Sequence, residues 1–344
     1  MRRTPVLVLF AAAMTVMLSH GILAQVTESK PTFGVWLEGV HKEGLAKGIS
    51  KKTLDQALNG LTRIERVIKL DRRQPEFTQT FHQYIDKRVS AWRVRTGRER
   101  LAAHGDILNV VGKRFGVQPR FIVALWGIET SFGAVTGGFS VIRALATLAF
   151  DGRRSAYFRR ELFNALKIID EGHIGVAEMK GSWAGAMGQN QFMPSSFLSY
   201  AVDFNGDGRR DIWGTLEDVF ASAANYLKRA GWRGDQNWGR EVKLPPDFGP
   251  KLIGLMPKTP PKGCRALRKL SVSKTLPQWQ ALGIRQIDGN PLSSNPIKAS
   301  LVLPDGPGGP AFLVYGNFRA TLRWNCSILF AAAVGILADR LAQR

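Results

Sequence analysis

Apolar positions recur at helical spacing over most of the first two-thirds of the chain. The segment 33–40 opens an amphipathic pattern, and 49–61 continues it with apolar residues three and four apart. Leu101, Ile107, Leu108, Val111 and Phe115 predict one helix over 99–115, closed by Gly116. Pro119 suits the first turn of the next helix. The run 121–126 is apolar on every face, the mark of a helix buried in a core. Similar patterns span 141–150, 157–171 and 216–230, the last closed by Gly231. The texture changes at about 238. Prolines and glycines cluster at 245–246, 257–263 and 304–310, and the short apolar runs 299–303 and 311–315 between them read as strands. A helical pattern returns at 328–341. The prediction is a mainly α protein: a helical domain over 25–237, a small β-rich subdomain over 238–314 near the C-terminus, and a segment 315–344 that returns to the helical core. No internal repeat interrupts it.

A chain of 344 residues, 44% hydrophobic and 22% charged, can bury a full core and suggests about two domains, which excludes a wholly disordered protein. Arg2 and Arg3 precede an apolar run at 6–18, shorter than the ~20 residues a membrane span needs. Small and polar residues follow. Residues 1–24 are therefore expected to be a secretory signal peptide, cut after Ala24, although Ile22 is bulky for such a site. An uncleaved anchor is the alternative. No cysteine follows the run, which argues against a lipid anchor, and no second run is long enough to span a bilayer. The formal net charge of +21 becomes +19 once Arg2 and Arg3 leave with the leader. That balance favours a polyanionic partner. Nucleic acid is not expected, because export argues against it and no zinc finger, helix-turn-helix or aromatic RNA-binding motif is present. A solvated basic surface with no set partner is the plain alternative. Cys264 and Cys326 could pair in an oxidising compartment or remain two buried thiols; spacing does not decide.

Candidate chemistry concentrates in 124–133, Ala-Leu-Trp-Gly-Ile-Glu-Thr-Ser-Phe-Gly. Glu129 ends a very apolar helix. Burial disfavours a charged carboxylate, so a Glu so placed can hold a proton near neutral pH and act as a general acid. A Glu that merely pairs with one of the many arginines is the alternative. Two more motifs follow in order: 182–197, Ser-Trp-Ala-Gly-Ala-Met-Gly-Gln-Asn-Gln-Phe-Met-Pro-Ser-Ser-Phe, and 315–325, Tyr-Gly-Asn-Phe-Arg-Ala-Thr-Leu-Arg-Trp-Asn. Together the three resemble the B-type lytic murein transglycosylases, over about 33–341.

That resemblance implies a lysozyme-like helical catalytic core of the goose type. It also implies a lyase that cuts the β-1,4 bond between N-acetylmuramic acid and N-acetylglucosamine with one carboxylate, where most glycosidases use two. Glu129 would protonate the bridging oxygen and then, as a base, take the proton of the muramic C6 hydroxyl. That hydroxyl attacks its own anomeric carbon and leaves a 1,6-anhydro end, with the 2-acetamido group assisting. Other implied roles follow matching positions. Ser182 contacts the acetamido group or orients the glutamate, Gln191 lines the sugar groove, and Asn325 lies near the catalytic Glu. Arg153 and Arg154 meet peptide-stem carboxylates, which Arg binds well through paired bonds. Tyr84 and Tyr226 line the groove. The expected partners are peptidoglycan strands and their peptide stems, in the periplasm, with the protein a monomer and association with the membrane or wall machinery open. No cofactor is expected for catalysis.

The loop 203–214 matches the first part of an EF-hand, with Asp203, Asn205, Asp207, the carbonyl of Arg209 and Asp211 as calcium ligands and Gly208 at the turn. Position twelve is Gly214, so Glu217 or Asp218 would have to reach in; a metal-free turn is the alternative. Ile328 also departs from the family pattern, which suggests an acid there. The chain stops just past the terminal helix, so wall affinity is expected from the groove and the basic surface. A water-using muramidase would need a second carboxylate facing Glu129, such as Asp151 or Glu161. A non-catalytic wall-binding scaffold and a calcium-regulated binding protein are more distant readings.

Overall fold

The computed structural model describes residues 31–72, 79–246, 248–259 and 261–343; the leader expected at 1–24 lies outside them. The fold is mainly helical, with a five-stranded antiparallel sheet and a two-stranded antiparallel pair, Phe139–Ser140 with Lys180–Gly181, among the described residues. Helix starts are set by short polar side chains. Thr32, Ser50, Thr80, Ser90, Ser140 and Ser327 each accept an N–H from the first turn of the helix that follows.

Two apolar cores organise the helices. One surrounds Pro119–Thr130, with Gly105–Phe115, Leu216–Arg229 and Ile328–Ala342 against it. The other joins Phe33–Ala46, Lys51–Leu58, Val141–Asp151, Ser155–Asp170 and Pro194–Tyr200. Pro119 opens its helix at the first turn, and every residue from Phe121 to Ile128 is buried, as its all-round apolar run predicts. Gly335 lets Ile328–Ala342 approach closely, since a Cβ there would run into the Trp238 ring.

The helix expected over 99–115 is two helices, Ala91–Ala103 and Gly105–Phe115, broken at His104. The first lies on Pro119–Thr130 and Ile328–Ala342, the second on Pro119–Thr130 and Leu216–Arg229. The chain turns to serve both neighbours, and local periodicity does not see that turn.

The five-stranded sheet runs Lys274–Thr275, Lys298–Val302, Ala311–Val314, Gly239–Lys243, Arg285–Gln286, with every neighbouring pair antiparallel. Its alternation is buried on both sides. Ala299, Leu301, Ala311 and Leu313 enter a third apolar cluster with Phe248 and Trp279, whereas Val302, Phe312 and Val314 face the core around Pro119–Thr130. The subdomain also holds the short helices Phe248–Gly254 and Leu276–Ala281, which the proline-rich texture hid.

Gly316–Trp324 and Ile328–Ala342 meet at an elbow of 119°. Ile328, where an acid was expected, is buried in the core, where an ionised carboxylate would lose its hydration. Cys264 and Cys326 form a disulfide across 62 residues, with Cα atoms 5.5 Å apart, and tie the elbow to the subdomain. Among the described residues no single helix is long and apolar enough to cross a membrane.

Candidate active site

Glu129 is partly buried near the C-terminus of Pro119–Thr130. That end is held by Arg93, itself 9% exposed, whose guanidinium donates to the carbonyls of Gly127, Lys87 and Arg88 and to Ser131 Oγ. A cation among the last carbonyls suits the negative end of a helix. Burial, then Arg88, holds Arg93 below its ordinary pKa. The chain leaves the helix through Ser131 and Phe132, both with positive φ. Gly133 follows, also at positive φ, where a Cβ would strike Gln189 Oε1. Positive φ in non-glycine residues occurs at four described positions: Ser131, Phe132, Arg154 and Gln191. All four lie at or beside segments the sequence singled out for function, where such strain tends to cluster.

Two distant segments close on this turn. From 182–197, Gln189 Oε1 accepts from Trp126 Nε1 at 2.7 Å and its Nε2 donates to the Trp213 carbonyl at 2.8 Å. Thr130 Oγ1 donates to the Gln189 carbonyl at 3.1 Å. From the elbow, Trp324 Nε1 donates to Glu129 Oε1 at 2.7 Å. An enclosed cavity beside the carboxyl is walled by Trp126, Val219, Phe220 and Trp324 among others, and Glu129 is its one acidic lining residue among the described residues.

The remaining candidates have specific places. Tyr226 donates to the Arg323 carbonyl at 2.6 Å and lies 4.8 Å from the Trp324 ring and 4.3 Å from Tyr200. Burial, with Tyr200 beside it, pushes its pKa up to about 12. It packs against the Trp324 ring. Ser182 Oγ accepts from the amides of Ala184 and Ala186 and so shapes the tight turn. Gln191 Nε2 donates to the carbonyls of Thr136 and Gly188, both at 3.0 Å. Asn325 is exposed beside Trp324, and its backbone caps the helix by donating to the Thr321 carbonyl. Tyr84 packs on the core under the Arg88 guanidinium and is not among the residues lining the Glu129 cavity.

Arg153 and Arg154 both pair with Asp71, which is 1% exposed. The sequence reading missed this anchor; its only signal is an acid on the buried face of the basic helix Glu65–Arg72. The two candidate second carboxylates are engaged elsewhere. Glu161 accepts from the Ser195 amide at 2.9 Å, and Asp151 accepts from Arg72 at 2.9 Å. Neither lines the cavity.

The loop at 203–214 is a set of Asx turns. Asp203 accepts from Gly206 and Gly208, Asn205 from Asp207, Asp207 from Arg209, and Asp211 from Trp213, Gly214 and Thr215. Asp218 is fully buried and closes the loop by accepting from Phe204 and Asp211; Glu217 is exposed. Burial, with Asp203 and Asp207 nearby, holds Asp218 above its ordinary pKa. The oxygens are of the kind calcium takes. Among the described residues, however, no three acidic, His or Cys side chains converge as a cage. The fit is therefore partial, and no chemistry below depends on it.

Comparisons with known proteins agree with this geometry. The transglycosylase SLT domain family matches residues 32–339. Membrane-bound lytic murein transglycosylase B of Escherichia coli K12 is 32% identical over 311 residues, 86% of this chain and 79% of that protein. The crystal structure of SltB3 from Pseudomonas aeruginosa in complex with NAG-anhNAM-pentapeptide is 44% identical with a TM-score of 0.82, covering 89% of this chain and 78% of that one. The Escherichia coli lytic transglycosylase Slt35 in complex with calcium is 31% identical with a TM-score of 0.73, covering 89% and 92%. A glutamate at the end of a buried helix, with two distant motifs closing on that helix end, in a fold these enzymes share, makes this chain a member of the SLT-domain lytic transglycosylase family.

Proposed function

We propose that this enzyme cleaves the bond between N-acetylmuramic acid and N-acetylglucosamine in peptidoglycan, with Glu129 as its single acid and base. The observation that carries the reading is the lone carboxyl of Glu129 in a largely apolar wall, oriented by Trp324. Glu129 gives its proton to the bridging oxygen as the C1–O bond breaks and N-acetylglucosamine leaves. The carboxylate then takes the proton of the muramic C6 hydroxyl as O6 bonds to C1. No water enters, and a 1,6-anhydro end results. Holding the ring so that its own hydroxyl reaches C1 supplies the proximity advantage. The engagement of Asp151 and Glu161 elsewhere supports this over a water-using muramidase. SltB3, crystallised with NAG-anhNAM-pentapeptide, supports a substrate that carries a peptide stem. In this reading Arg153 and Arg154, about half exposed on Asp71, face the stem carboxylates, and Ser182, Gln191 and Asn325 line the sugar path. A leader at 1–24 would place the activity in the periplasm. The test is clearing of a peptidoglycan suspension. The parent enzyme is expected to clear it and Glu129→Gln to leave it turbid; a variant that clears as fast as the parent removes Glu129 from the mechanism.

Calcium is proposed as a weak structural ligand of Asp203, Asn205, Asp207, the Arg209 carbonyl and Asp211, supported by the calcium complex of Slt35 and by Asp218 buried among like charges. The cation must draw carboxylates off their amides, so affinity is expected near millimolar. Saturation should raise Tm by about 2 °C relative to EDTA. An unchanged Tm at about ten millimolar calcium, roughly ten times the Kd of the weakest such sites, would sink this proposal and leave the Asx-turn loop as the whole account.

A further inference from the structure

The cavity beside Glu129 has about 10 Å³ open to the centre of a water-sized sphere, room for about one water. Asn190 lines it and is 4% exposed. Its Nδ2 donates to the Val219 carbonyl at 2.9 Å. That bond fixes the amide orientation, because a flipped amide would set oxygen against oxygen. Asn190 Oδ1 therefore points elsewhere, and it is one of two buried side-chain polar atoms among the described residues with no hydrogen-bond partner. The other, His104 Nε2, belongs to a ring that meets Trp126 edge-on and Phe220 at a tilt and does not line the cavity. Gln189, just before it in the chain, is matched at both ends of its amide. Buried acceptors in native proteins are normally met, often by ordered water.

We propose that this cavity is a binding site for one buried water that links Asn190 Oδ1 to the Glu129 carboxyl, and that Asn190 is thereby a positioning residue for Glu129. The inference rests on the acid/base role proposed above. Asn190 Oδ1 only accepts, so the water gives it one hydrogen. The second hydrogen and the lone pairs of the water serve Glu129. Toward the carboxylate the water donates; toward the protonated acid it accepts. Trp324 cannot do this, since an indole N–H only donates and always favours an unprotonated oxygen. Glu129 must be an acid in the first half of the reaction and a base in the second. A partner that reverses its hydrogen bond suits both states without moving.

Two readouts test this. A high-resolution crystal structure of the parent enzyme should show one water within hydrogen-bond distance of Asn190 Oδ1 and the Glu129 carboxyl. Asn190→Leu, of similar shape but without the acceptor, should lose that water and lower kcat roughly tenfold, about one hydrogen bond to a charged group, with KM unchanged. A dry cavity in the parent crystal overturns the proposal, whether or not the variant folds. A water that is present while Asn190→Leu keeps its parent kcat overturns the positioning role. The crystallographic readout needs no turnover. Failure of the glycan-cleaving reading, seen as an inactive parent enzyme, is thus distinct from failure of this one.

Discussion

At the scale of single residues, Glu129 was legible because its signal is local: a carboxyl ending a run of apolar residues, within one ten-residue motif. Its partner was not. Trp324 lies 195 positions away, and the sequence offers it only as the residue before Asn325. The same holds for Asp71, 83 positions from Arg154. Tyr226 was singled out from its motif position, which does not show its bonds: its hydroxyl donates to the Arg323 carbonyl, beside the ring that touches Glu129. A consequence follows for Trp324. Its N–H favours ionised Glu129, so Trp324→Phe, which keeps the ring contact with Tyr226, removes that preference. We predict a kcat lower by about tenfold, with the fold retained. A variant that keeps the parent kcat would count against the hydrogen bond as a contributor.

At the scale of elements, the elbow at 324–327 decides where Trp324 sits. Tyr226 holds it from one side and Cys326 from the other. Sequence left the disulfide open because pairing depends on a separation that only the fold sets. Closing a 62-residue loop should contribute about 4 kcal/mol, less any residual structure in the unfolded chain. Reduction, or Cys264→Ser with Cys326→Ser, is expected to lower the free energy of unfolding in urea by about 2–4 kcal/mol; an unchanged midpoint would contradict this. The loop at 203–214 rests on His173, which accepts from the Arg210 amide. Burial, then the Arg210 guanidinium, holds His173 below its ordinary pKa against the opposing pull of Glu171, with Arg209 adding to the depression. The unfolded chain therefore takes up this proton first as pH falls. The stability contributed is fully present above about pH 6.5 and is lost as pH drops through the lower folded value. His173→Gln should flatten the fall of Tm between about pH 7 and pH 5; a fall as steep as the parent's would remove His173 as its cause.

At the scale of the whole molecule, the mainly helical architecture and the change of texture near 238 could be read from periodicity and punctuation. The break at His104 and the helices inside the β-rich region could not, because neighbours in space set them. The formal net charge of +21 suits an acidic polymer, and exposed charge contacts of that kind weaken with salt. The central claim is that a single carboxyl cuts the glycan without water. It is tested most directly by digesting purified peptidoglycan in heavy-oxygen water and weighing the products by mass spectrometry. The account predicts unlabelled muropeptides ending in 1,6-anhydromuramic acid, absent with Glu129→Gln. Reducing-end products one water heavier and carrying the label would contradict it and identify a hydrolase.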